Sequence, residues 1–143
     1  MMQVAVGLGC DRGTPLATLQ RALSEALAQV GVGQSQVAAV ASITLKADEP
    51  GLLALARELG WSLAFYTPEV LAAVAVPNPS ETVRKYTGSP SVSEAAALMA
   101  GAALAGLAQA LPMQALLVEK YKCRGTDGRN ATVSIARCDS FSL

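Results

Sequence analysis

The sequence predicts an α/β protein in a single domain over residues 1–143: a mixed, mostly parallel β-sheet of about five strands, helices on both faces, and a C-terminal antiparallel hairpin. Three observations predict it. Apolar runs alternate with amphipathic helical segments through the first half of the chain, as parallel strands joined by right-handed crossovers require. Hydrophobic residues make up 52% of the chain and charged residues 15%, enough to bury a core at this length. Near the C-terminus two strand-like runs flank the turn-rich stretch Gly125–Asn130, so at least one strand is antiparallel.

The elements follow in order. Val4, Ala5 and Val6 form a first buried strand. Gly7, Gly9 and Gly13 make a glycine-rich corner where the backbone turns sharply and can approach another group closely. Thr14 caps the next helix and Pro15 takes its first position. Leu16, Leu19, Leu23, Leu27 and Val30 recur at helical spacing, and Gly31 stops the helix. Val37–Ile43 is a second buried strand. Asp48 caps a second helix, with Glu49 and Pro50 in its first turn, and Gly60 ends it. Trp61–Tyr66 is a third strand. Thr67-Pro68 repeats the signal of cap then proline before a short helix, Glu69–Val74. Pro77-Asn78-Pro79 is a loop. Ser80 caps one or two turns that end at Gly88. Ser91-Val92-Ser93-Glu94 reads as a capping box opening an Ala-rich helix that runs to about Ala110. Ala115–Val118 continues as a strand into Arg124, and Ala131–Ala136 pairs with it. The tail beyond Arg137 frays.

Composition excludes several functions. Eleven basic residues balance eleven acidic ones and aromatics are few, which argues against nucleic acid and anionic membranes as partners. There is no histidine, so the commonest general base and metal ligand are missing; no metal site and no cofactor are expected. Cys10, Cys123 and Cys138 are odd in number and widely spaced, with neither a disulfide framework nor a CxxC site. A reduced, cytoplasmic protein fits that pattern. The opening lacks the basic region of a signal peptide. The apolar stretch Ala95–Ala108 falls short of the ~18 residues that a membrane span needs.

The segment from Gly7 to Thr14 departs from the dinucleotide fingerprint, since its third glycine comes one residue late, and it has no Gly-Lys-Ser/Thr of a phosphate loop. It reads either as a tight structural turn or as an anion site at a helix N-terminus. If the first three strands are parallel, Gly7–Thr14, Ser42–Glu49 and Thr67-Pro68 share one rim of the sheet. Arg12 and Lys46 lie in two of these loops and are either solvated charges or a carboxylate clamp. Ser91 and Glu94 read first as a helix cap. Lys120, Lys122 and Arg124 read as a solvated strand end. A helix N-terminus and Arg12 would lower the Cys10 thiol pKa, but no histidine stands ready to activate it, so Cys10 reads as a bystander.

The run Val6-Gly7-Leu8-Gly9-Cys10-Asp11-Arg12-Gly13-Thr14 resembles the opening of the cobalamin-biosynthesis family formed by CobE and the C-terminal domain of CbiG. So do Ala41-Ser42, Lys46 and Asp48-Glu49-Pro50-Gly51-Leu52, then Gly88 with Ser91-Val92-Ser93-Glu94-Ala95-Ala96-Ala97-Leu98. Lys120, Lys122 and Ala131–Ala136 complete an ordered match over nearly the whole chain. Asp11 departs from the family, which often has a polar or basic residue there. The resemblance implies a role in corrin-ring assembly. Its partner would be a precorrin or hydrogenobyrinic-acid-type intermediate, a flat apolar macrocycle rimmed by carboxylates, together with other enzymes of that pathway. CbiG-type proteins open a δ-lactone on cobalt-precorrin-5A; this chain resembles only their C-terminal module. Glu49, and less well Glu94, would be the base for such a reaction. The resulting set of expected ligand-binding residues is Gly7, Gly9, Cys10, Arg12, Gly13, Thr14, Ser42, Lys46, Glu49 and Ser91.

Overall fold

The computed structural model describes residues 2–138. Five strands, β1 (Val4–Cys10), β2 (Val37–Ile43), β3 (Leu63–Tyr66), β4 (Leu116–Arg124) and β5 (Asn130–Arg137), form one sheet in the order β3-β2-β1-β5-β4. β1, β2 and β3 are parallel. β5 runs antiparallel to both β1 and β4, so β4 points the same way as β1. Helices α1 (Leu16–Gln29) and α2 (Pro50–Leu59) cover one face; α3 (Pro68–Ala72) and α5 (Val92–Leu104) cover the other. A short helix, α4 (Glu81–Thr87), precedes α5. The mixed five-stranded α/β architecture and the order of its elements are as the sequence predicts. No helix among the described residues is long and apolar enough to cross a membrane.

β1 explains how two cores share one strand. Val4, Val6 and Leu8 point into the cluster built by α1 and α2, while Ala5 points into the cluster under α5. Gly7 and Gly9 continue that second row. They are strand residues, not part of a corner, because β1 runs on to Cys10. Gly7 lets α5 rest directly on the strand: a Cβ there would run into the carbonyl oxygen of Ser93 and lie 2.6 Å from Ala97 N. The turn itself is Asp11–Gly13, where Gly13 has a φ of +77°.

Other boundaries shift for physical reasons. α5 stops at Leu104, not near Ala110, because Gly106 adopts a φ of +74° and Leu107 N–H closes back on Ala102 O at 2.9 Å. β3 begins at Leu63, where pairing with Val40 begins. Cys138 docks against β1, its N–H donating to Gln3 O at 3.1 Å, and the rest of the tail expected to fray lies outside the described residues. Cys10, Cys123 and Cys138 form no disulfide among the described residues.

Candidate functional site

β1, β2 and β4 end, and β5 begins, along one rim of the sheet. A cleft of about 620 Å³ opens there, between the α5 face of the sheet and α4. Its lining joins apolar side chains, Ile43, Leu45, Val83, Tyr86 and Val92, to the basic side chains Arg12, Lys46, Lys120 and Lys122. Asp11 is the one acid among the lining residues. Across the floor, Gly9 stands opposite Thr132 and Thr132 opposite Lys122, so one row of the pleat leads from β1 to the lysines. Gly9 keeps this floor open, since a Cβ there would lie 2.7 Å from Thr132 Oγ1.

The turn after β1 is tied down by the chain's own groups. Asp11 Oδ2 accepts from Asn130 N–H at 2.8 Å and Nδ2 at 3.3 Å, and Arg129 Nε donates to Arg12 O at 2.9 Å. Thr14 does not cap α1, whose N-cap is Pro15; its hydroxyl instead donates to Asp11 O at 2.7 Å. Gly13 N–H donates to both carboxylate oxygens of Glu49, at 3.0 and 3.3 Å. Glu49 is 1% exposed and lies 3.7 Å from Arg12 Nη1. The place at this turn where an external anion could sit therefore holds an internal carboxylate. Arg12 also donates to Asp48 at 2.8 Å and to the carbonyl of Leu45. That hydrogen bond holds the Asp48 carboxyl below the usual carboxylate range and raises the Arg12 pKa. Asp48, read as the cap of α2, is thus the Arg12 partner, and Glu49 occupies the N-cap position.

The opening of α5 also differs from its local pattern. Ser91 is its N-cap residue, but the Ser91 hydroxyl is buried without a hydrogen-bond partner. Glu94, fully buried, does not return to the helix start. It accepts from Asn78 N–H at 3.3 Å and Asn78 Nδ2 at 2.6 Å, so no capping box forms. Ser42 Oγ donates to Leu8 O at 2.6 Å, tying β2 to β1 inside the sheet. Gly9, Cys10, Arg12 and Lys46 line the cleft, whereas Gly7, Gly13, Thr14, Ser42, Glu49 and Ser91 stand behind it as its frame. The loop Thr67-Pro68 does not line it; Pro68 supports Gly88 at the end of α4.

Burial pushes the Cys10 thiol up to about 11; Lys46 opposes the rise, and Glu49 and Asp11 add to it. The lowered pKa expected from a helix N-terminus is overturned: α1 starts six residues on, and Arg12 is engaged by Asp48. Cys10 is a neutral thiol at neutral pH. Among the described residues, no cluster of three Cys, Asp or Glu side chains could hold a metal ion.

Sequence reasoning missed the part of the cleft made by α4 and the hairpin: Thr82, Val83, Tyr86, Thr87, Lys120, Lys122, Asn130 and Thr132. The period of two between Lys120 and Lys122 carried a signal, since it puts both on one face of β4. Nothing local marked which face that was.

A family model described as the cobalamin synthesis G C-terminus matches residues 4–136. The cobalt-precorrin-5A hydrolase of Priestia megaterium is 41% identical over 96 residues, covering 67% of this chain and 26% of that protein. Protein CobE of Sinorhizobium sp is 41% identical over 98 residues, covering 67% of this chain and 64% of that protein. The match thus spans less than two thirds of either relative. The crystal structure of CobE, a protein from the cobalamin (vitamin B12) biosynthetic pathway, superposes with a TM-score of 0.77 at 34% identity, over 95% of this chain and 90% of that one.

Proposed function

Because this chain belongs to the cobalamin synthesis G C-terminus family, we propose that it is a cytoplasmic protein that binds or carries a corrinoid intermediate by the carboxylates at the ring's edge. The observation that carries this reading is a set of lysines, in no ion pair among the described residues, that line a cleft together with apolar side chains. Lys46 and Lys122 make no ion pair or hydrogen bond among the described residues, and Lys120 Nζ reaches only Asn78 O, at 3.4 Å. Ammonium groups in no ion pair beside a cleft suit an anionic ligand, and apolar lining side chains suit a flat ring. The cleft volume, about 620 Å³, falls in the usual range for small-molecule sites, roughly 300–1,000 Å³. Arg12 is already shared between Asp48, Leu45 and Glu49, so a ligand carboxylate would compete there, while Lys46 is free to bind one.

Lactone opening finds less support in the geometry. Glu49 and Glu94 both spend their carboxylates on backbone and Asn78 groups away from the cleft, and the lining acid, Asp11, is held by Asn130.

Titration with hydrogenobyrinic acid, followed by absorbance and gel filtration, tests the proposal. A band shift and co-elution are expected. Lys46→Ala should weaken binding by about 1–2 kcal/mol, close to tenfold, as loss of a charged hydrogen bond does. Unchanged spectra and separate elution at high micromolar protein would overturn it.

A further inference from the structure

Helix α4, which roofs the cleft, is held in place unlike the other helices. None of its residues is buried, while α1, α2, α3 and α5 each bury at least one. It is fastened chiefly at its ends, with half-buried Val83 packing on the core under α5. Before it, Ser80 N–H donates to Pro90 O at 2.9 Å, and buried Glu94 clamps Asn78. After it, Gly88 has a φ of +81° and lies against Pro68, where a Cβ would come within 2.9 Å. Ser89 N–H and Thr87 Oγ1 close the same corner at 3.1 Å. A segment pinned at both ends, with half-buried Val83 as its apolar contact to the core under α5, can tilt as a unit at modest cost in packing.

α4 presents Val83 and Tyr86 to the cleft. Tyr86 is 74% exposed, the most exposed of the large hydrophobic side chains described. Lys85 Nζ lies 6.0 Å from the centroid of its ring. An aromatic ring left in water while lining a cleft together with Ile43, Leu45 and Val92 has apolar area to bury.

We propose that α4 is a flap and that Tyr86 is its ligand-contacting residue, closing on the flat face of a macrocycle whose edge carboxylates Lys46, Lys120 and Lys122 hold. This deepens the corrinoid reading and rests on it. A flat conjugated ring offers the face on which an aromatic side chain packs. A cap that forms after the charged edge is engaged acts on escape more than on capture.

The test uses wild type, Tyr86→Ala and Tyr86→Phe with hydrogenobyrinic acid as the probe. Tyr86→Ala should weaken binding about tenfold, mostly through faster dissociation, while Tyr86→Phe stays within about twofold. Amide exchange across 81–87 should slow when the probe binds. If wild type binds but Tyr86→Ala binds as tightly, or exchange in α4 does not change, the flap is wrong and the corrinoid reading stands. If wild type does not bind, both fall. Circular dichroism of Tyr86→Ala checks that this exposed substitution leaves the fold intact.

Discussion

Gly7 has no room for a methyl group. The atoms in its way belong to the backbone of α5, Ser93 O and Ala97 N, and a backbone cannot swing aside as a flexible side chain can. Gly7→Ala should therefore destabilise the protein by roughly 3 kcal/mol, read from the urea midpoint. Gly31 is the contrast: its φ is +64°, but nothing stands within 4 Å of an added Cβ, so only conformational strain opposes substitution. Cys10 gives a pH-dependent outcome. The unfolded thiol ionises near 9.0 and the native one near 11. Between those values the unfolded chain has released a proton that the native state keeps, so stability falls as pH rises. The contribution is complete below 9.0 and is lost as pH climbs through about 11; Cys10→Ala should remove that part of the slope from a series of urea unfolding curves. Thiol reagents should label native Cys10 slowly at neutral pH.

Two connections tie elements together through buried carboxylates, and each can be cut separately. Glu49 joins the start of α2 to the turn after β1 through Gly13 N–H. Glu49→Ala strands that buried donor, while Arg12 keeps Asp48, and should cost roughly 2–3 kcal/mol; Glu49→Gln keeps an acceptor oxygen and should cost less. Glu94 joins α5 to the loop before α4 through Asn78. Glu94→Ala should free that loop, and proteolytic cleavage within residues 77–88 should speed up about tenfold while the global unfolding midpoint moves less. The sequence placed these carboxylates at helix starts, where local spacing favours a cap. It could not show that distant partners compete for them: Gly13 is 36 residues from Glu49, and Asn78 is 16 from Glu94. Thr67 and Ser80, which lie in exposed connections with no such rival, do cap their helices, accepting from Val70 N–H and Val83 N–H.

The polarity of the sheet brings the lysines of β4 to the same rim as the turns after β1 and β2. With Lys46, Lys120 and Lys122 around one cleft on a chain of zero net charge, attraction for an anionic ligand is local. Its affinity should fall with ionic strength, and replacing all three lysines with Ala should remove most of that dependence in titrations at low and high salt. Periodicity and helix breakers set the order of elements, the extent of β2 and the C-terminal hairpin, because alternation and glycine stops act over a few residues. The same local signals brought Arg12 and Lys46 forward among the residues of the cleft, since each lies in a loop that follows a strand on the expected rim. Which face Lys120 and Lys122 present, what Glu49 and Glu94 bind, and where Tyr86 stands were decided only by the folded arrangement. Those depend on strand direction and on contacts between segments far apart in the chain, and a buried polar group pairs with whatever the packing brings to it.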